Sequence, residues 1–218
     1  EIYMGDWSSD VCSSDLVKTY VRSDVERGRR CVTVEFDKRY TTQDQDGKVL
    51  SIDAVPAFDA GGHYEIPDGS LGKWIESDPE VHKEQATAKN KQLSNKWVPF
   101  VKMVKRWNRN SGKLVKPMFL IEVMAQGLVD PPFNNYPDEV LRFFSAAQTA
   151  IEQDWPDPAG LGPPVSDQMD ASAHAAAKKA FRDAERLAVL AVRAEQQGRI
   201  GEALQLWRDI FGSYFPTS

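Results

Sequence analysis

Covalent cross-links have almost no material here. The chain holds two cysteines, Cys12 and Cys31, and the first lies in a segment set aside below. That excludes a disulfide framework and a zinc site built on thiolates, and it suits a reducing cytoplasm, the expected location. The three histidines, His63, His82 and His174, show no metal-ligand spacing and are given no role. No apolar run approaches bilayer-spanning length, so no membrane partner is expected. A net charge of −5 is the wrong sign for a protein that coats nucleic acid, so a long nucleic-acid substrate is not expected either.

What remains is a globular composition. With 218 residues, 41% hydrophobic and 27% charged, the chain can bury one sizeable core, or one domain with a lobe of another. Residues 1–16 stand apart. The run Asp6-Trp7-Ser8-Ser9-Asp10-Val11-Cys12-Ser13-Ser14-Asp15-Leu16 is serine-rich, acidic and without apolar period, which fits neither a signal peptide nor a transit peptide. It matches, codon by codon, an in-frame translation of a common short-read sequencing adapter. Residues 1–16 are therefore excluded from fold reasoning, and the native chain is expected to begin near Val17 without its natural front end.

Three kinds of pattern follow. Residues 17–28 read as the remainder of a helix. Cys31-Val32-Thr33-Val34-Glu35-Phe36 alternates as a strand with Val32, Val34 and Phe36 inward, and Asp46-Gly47 signals a turn before the next strand. An antiparallel hairpin is expected. Ala60-Gly61-Gly62 and Ile66-Pro67-Asp68-Gly69 mark further turns, and everything beyond Trp74 reads as helical. Ser77-Asp78-Pro79-Glu80 starts the first helix, and Phe100, Val101, Val104 and Trp107 face one side of the next. Further helices are expected from Pro117, from Tyr136 to about Glu152, over 167–197 and over 200–211. Residues 191–206 look like one tetratricopeptide-type repeat, but no second copy exists, so a helical hairpin packed on the main body is the better reading.

The strand Val49-Leu50-Ser51-Ile52-Asp53-Ala54-Val55 carries the strongest chemical signal. Leu50, Ile52 and Ala54 fall on one face, with Ser51 and Asp53 on the other. An acid within an apolar strand must be paired, solvated in a cleft or bound to metal. Pro56 then ends the ladder. A second signal is basic. Lys96, Lys102, Lys105, Arg106, Arg109, Lys113 and Lys116 occur with no acid among them, which suits a small anionic ligand held in one place, or simply a solvated helix face.

In order and spacing these segments resemble a known family. The series runs Asp53-Ala54-Val55-Pro56-Ala57, His63-Tyr64-Glu65-Ile66-Pro67-Asp68, Trp74 with Ser77-Asp78-Pro79, Val101-Lys102-Met103-Val104-Lys105-Arg106-Trp107-Asn108 and Phe119-Leu120-Ile121-Glu122-Val123. Trp207, Ile210-Phe211-Gly212 and Phe215-Pro216 close it. From Cys31 to Pro216 it resembles the bacterial CD-NTases, the cyclic-oligonucleotide synthases of CBASS anti-phage defence related to cyclic GMP–AMP synthase and oligoadenylate synthetase. The resemblance implies an α+β fold. A remnant of a polymerase-β-like nucleotidyltransferase sheet over 17–70, present as an antiparallel hairpin, would precede a mostly α-helical C-terminal domain over 71–218.

The resemblance also implies a chemistry. Three carboxylates bind two Mg²⁺ (or Mn²⁺) ions, which take hard oxygen ligands, and nucleoside triphosphates are joined into a cyclic second messenger. Asp53 matches the third carboxylate. Lys105 matches a lysine that reaches the triphosphate, and Lys102 lies one turn before it. Phe119 matches an aromatic that stacks on a base, with Tyr64 a further stacking candidate. Met118 stands where related synthases have a serine, and its thioether cannot donate to phosphate. A regulatory protein partner is expected. The Gly-Ser motif and the first two carboxylates are missing before Cys31, so this polypeptide is expected to be inactive. The competing reading is a noncatalytic helical interaction module whose basic helix binds an anionic or protein partner. A weaker third is another polymerase-β-like enzyme, such as a tRNA nucleotidyltransferase.

Overall fold

A computed structural model describes residues 24–35 and 51–217. The chain divides into two compact units, Glu1–Asp78 and Pro79–Ser218. The hydrophobic residues Leu50 and Phe36, the Asp46-Gly47 turn and most of the 17–28 segment lie outside the described residues.

The described residues of the first unit form two small antiparallel sheets. In one, β1 (Asp24–Arg27), β2 (Val32–Glu35) and β3 (Ser51–Ala54) lie in that order. Val32 and Val34 are buried while Thr33 and Glu35 turn outward, the period-two pattern of a one-sided strand. The helix expected over 17–28 is corrected where it is described, because Asp24–Arg27 pairs with β2. Glu and Arg are good helix formers, but propensity is a weak determinant and pairing along a neighbouring strand overrides it. Gly28 closes the tight turn, its N–H donating to the Cys31 carbonyl at 2.9 Å. A Cβ there would lie 2.8 Å from Cys31 Sγ, so a larger residue would make the Cys31 side chain move.

β3 continues the sheet in the register Val32↔Ala54, Thr33↔Asp53 and Val34↔Ile52. The expected hairpin is present, but its apolar face is not sealed. Ile52 is 53% exposed although its partner Val34 is 3% exposed. An acid at position 53 therefore opposes no burial.

The other sheet orders β4 (Phe58–Asp59), β5 (Tyr64–Asp68) and β6 (Lys73–Ser77). Two expectations are corrected. The turn read at 66–69 comes later, since β5 runs through Asp68 and the chain reverses over 69–72, with Gly72 at φ +62°. Trp74 belongs to a strand, because Lys73-Trp74-Ile75-Glu76-Ser77 buries Ile75 between exposed Lys73 and Glu76, along β5.

The second unit is helical: α1 (Pro79–Gln92), α2 (Trp97–Asn110), α3 (Met118–Leu128), α4 (Tyr136–Ala150), α5 (Ala171–Gln196) and α6 (Ile200–Phe211). Asn135 caps α4, its side chain accepting from the Asp138 N–H at 2.9 Å, and Asp170 caps α5 by accepting from Ala173 at 2.7 Å. The core joins Phe100, Val104 and Trp107 of α2 to Leu120 and Met124 of α3 and Phe143 and Phe144 of α4. Phe181 of α5 stacks on Trp107 at 4.6 Å between centroids. Ala177, Ala184, Ala188 and Ala191 form the buried side of α5, small enough for α4 and α6 to pack closely on it. This α+β make-up is the fold class expected from the sequence.

Candidate nucleotide and cation site

Asp53 stands on an exposed strand, opposite Thr33, whose hydroxyl donates to Asp53 Oδ1 at 2.7 Å. Cys31 lies two residues before, with Sγ 3.9 Å from the Thr33 hydroxyl. Burial pushes its thiol pKa up; the Thr33 hydroxyl opposes that rise and the Asp53 charge adds to it. Asp53 offers one hard oxygen donor of the kind Mg²⁺ prefers. Among the described residues no group of three or more His, Cys, Asp or Glu side chains converges to hold a metal. The described residues thus fit one ligand of such a site and no more. Tyr64, the second aromatic expected from the sequence, is exposed on β5 between Asp59 and Ser77 in the ladders.

The strongest electrostatic feature of this unit escaped the sequence reading. Asp68 is 1% exposed and takes Arg29 Nε on Oδ1 at 2.8 Å and Arg30 Nε on Oδ2 at 2.9 Å. Ser70 Oγ at 2.7 Å and the N–H groups of Ser70 and Leu71, both at 3.1 Å, complete the shell. Burial acts to raise the carboxyl pKa, but these donors outweigh it and hold the group well below the usual carboxylate range. The β1–β2 turn is thereby fastened to the end of β5.

In the second unit α2 presents the basic face. Lys102 is exposed, and Lys105, three residues on, is half-buried with its ammonium on the Glu122 carboxylate of α3. Glu122 follows Phe119 by three residues, so the two share one face of α3 and the ammonium is drawn toward the phenyl ring's side of that helix. Phe119 is itself half-buried, packed on the core and 4.9 Å from the His82 ring at 37°. His82 in turn meets Asp157, Nε2 to Oδ1, at 2.8 Å. Met118 lies 3.1 Å from Asn108 Nδ2 through its sulfur. Asn108 is fully buried and bridges both polar groups of Val115, at 2.9 and 3.0 Å, which holds the connection into α3. Arg106, next to Lys105, donates to the Phe211 carbonyl at 3.0 Å and lies 4.5 Å over the Tyr214 ring. Lys105 and Phe119 are thus linked through Glu122 between α2 and α3, while Lys102 is exposed one turn earlier on α2. Glu122, His82 and Thr33 were not singled out, since no local spacing marks a partner 17, 37 or 20 residues away.

No family model matches the chain. Curated relatives do. A probable cyclic nucleotide synthase of Bacillus cereus (strain VD146) is 28% identical over 216 residues, 94% of this chain. The cyclic AMP-AMP-AMP synthase of an Acinetobacter species is 30% identical over 208 residues, 90% of this chain. The chain is similar to bacterial cyclic nucleotide synthases. The CD-NTase resemblance read from the sequence thus stands. Coverage is unequal: the chain spans 61% and 56% of the two relatives' own lengths. Among solved structures, the E. coli MS115-1 CdnC:HORMA-deltaN complex matches with a TM-score of 0.65 at 21% identity, over 95% of this chain and 71% of that one. At that identity the likeness establishes the fold.

Proposed function

We propose that this chain is part of a CD-NTase that joins nucleoside triphosphates into a cyclic oligonucleotide messenger of CBASS-type antiviral defence. The observation that carries this is the similarity to named synthases along at least nine tenths of the chain. The first unit is read as part of the catalytic lobe and the second as the helical domain. Asp53 supplies one oxygen ligand to a Mg²⁺ or Mn²⁺ ion. A cation bound there would lower the pKa of an attacking ribose hydroxyl and offset leaving-group charge. Lys105 and Lys102 meet the triphosphate as point charges, and Phe119 and Tyr64 are the base-stacking candidates. A HORMA-type protein is a fitting class of regulatory partner, given the CdnC complex.

Among the described residues one carboxylate stands where the reaction needs three, and the 218-residue chain is read as inactive by itself. Incubation with Mg²⁺ and labelled ATP, GTP, CTP and UTP should leave every triphosphate intact. Long-read resequencing across the codons for residues 1–16 tests the adapter reading, and a frame that carries a Gly-Ser motif and two closely spaced aspartates ahead of Val17 is the one to express. The protein translated from that frame should then form a cyclic product. Turnover by the short chain would overturn the inactivity, and failure of the restored protein would overturn the synthase.

A further inference from the structure

The helical unit holds an aromatic-walled cavity that the nucleotide reading leaves unused. On α6, Ala203, Trp207 and Phe211 are spaced by four and share one face. Trp207 and Phe211 stack at 5.9 Å between centroids and 19° between planes. The helix ends before Gly212, and the Phe215 N–H donates back to the Gly212 carbonyl at 3.0 Å, which returns a third ring to the row. Phe215 stacks on Phe211 at 5.6 Å and 26°. Ala203 is too short to extend the row by one more turn. Beside it lies a cavity of about 230 Å³, lined by these four residues, by Tyr136 of α4 and by Glu195 of α5 among others. Lys102, Lys105 and Phe119 do not line it.

The cavity is graded from apolar to charged. Trp207 and Phe211 are 6% and 3% exposed, Phe215 and Tyr136 are half-buried, and Glu195 is exposed at the mouth. Of the lining residues Glu195 alone carries a charge, and it makes no ion pair with the described residues. A lone carboxylate there repels anions, phosphorylated nucleotides included, and attracts a cation. The negative faces of the rings act in the same sense. Size narrows the choice further. An apolar cavity of about 150 Å³ takes benzene, so this one has room for a ring with a short side chain.

We infer that this cavity binds an arylalkyl ammonium, its single ring seated against Trp207, Phe211 and Phe215 and its protonated amine at the Glu195 carboxylate. Burial of the ring supplies most of the affinity, and Glu195 supplies the choice of charge.

Three probes of one shape separate size from charge: 2-phenylethylammonium, neutral 2-phenylethanol and anionic 3-phenylpropionate. Each is titrated at low salt into the isotope-labelled 218-residue chain, and binding is read from the Trp207 indole N–H signal. The ammonium should show the lowest midpoint, the alcohol a higher one and the anion the highest. Glu195→Gln should raise the ammonium midpoint about fivefold and leave that of the alcohol unchanged, the loss of one solvent-facing charge pair. Ala203→Leu fills the space and should abolish all three shifts while the amide spectrum shows the helices intact. If that variant fails to fold, the Glu195→Gln comparison decides. Equal midpoints for the three probes, or an ammonium midpoint unmoved by Glu195→Gln, would overturn the inference. So would a dimer in sedimentation that Ala203→Leu dissolves, because a second copy would then be the occupant.

Discussion

The ammonium of Lys105 rests on the carboxylate of Glu122, an ion pair that joins α2 to α3 on the side of α3 that also carries Phe119. The lysine proposed for the triphosphate is thus already paired within the protein. Anion binding must compete with that carboxylate or share the ammonium with it.

The first prediction concerns this competition. Glu122→Gln removes the competing charge and should tighten ATP binding to the chain, while Lys105→Ala should weaken it, both read by calorimetric titration. Stability should change little, because both partners are more than a quarter exposed and such pairs contribute at most about 1 kcal/mol. Equal affinity in both variants would remove Lys105 from the phosphate site.

A second prediction follows from Asp68. Its folded pKa lies below the unfolded value, so its contribution is complete above that value and drains away as pH falls below about 4. Urea midpoints monitored on the sheet unit should therefore drop on acidification. Asp68→Asn should lower stability at pH 7 by about 3 kcal/mol, since a buried carboxylate that accepts from two guanidinium groups loses its charge. Its midpoint should also fall less steeply between pH 5 and pH 3 than that of the parent.

Phe181→Ala is the third. The ring is fully buried among Trp107, Phe143 and Phe144, and truncation should cost about 3–5 kcal/mol in chemical denaturation of the helical unit. Leu190→Ala, on the exposed side of the same helix, should stay within about 0.5 kcal/mol.

The fourth separates chemistry from folding at Asp53. In a protein whose frame carries the Gly-Ser motif and two further aspartates, Asp53→Asn should take product formation below detection. Its thermal midpoint should be unchanged within error, because an exposed edge carboxylate contributes little to stability.

Periodicity made the helices legible. Phe100, Val101, Val104 and Trp107 repeat every three to four residues, and all are buried. The strands at 24–27 and 73–77 were misread because each is four or five residues long with few apolar side chains. What makes them strands is pairing with another segment, which no local window contains. The same divide runs through the site. Asp53 announced itself as an acid in a strand, and the basic face of α2 by its charge. Their partners did not, because the register that sets Thr33 beside Asp53 and the packing that sets Glu122 beside Lys105 are properties of the folded chain.

Arg106 carries a last consequence. Its hold on the Phe211 carbonyl and the Tyr214 ring pins α2 at the residue next to Lys105. A helix advances 100° per residue, so this contact, together with the buried Phe100, Val104 and Trp107, sets the azimuth of every other side chain. With α2 unable to roll about its own axis, Lys105 can search only the cone swept by its four-carbon stem. Changes at the far end of the sequence, around residues 211–214, would thus register as altered aim of an ammonium more than a hundred positions earlier.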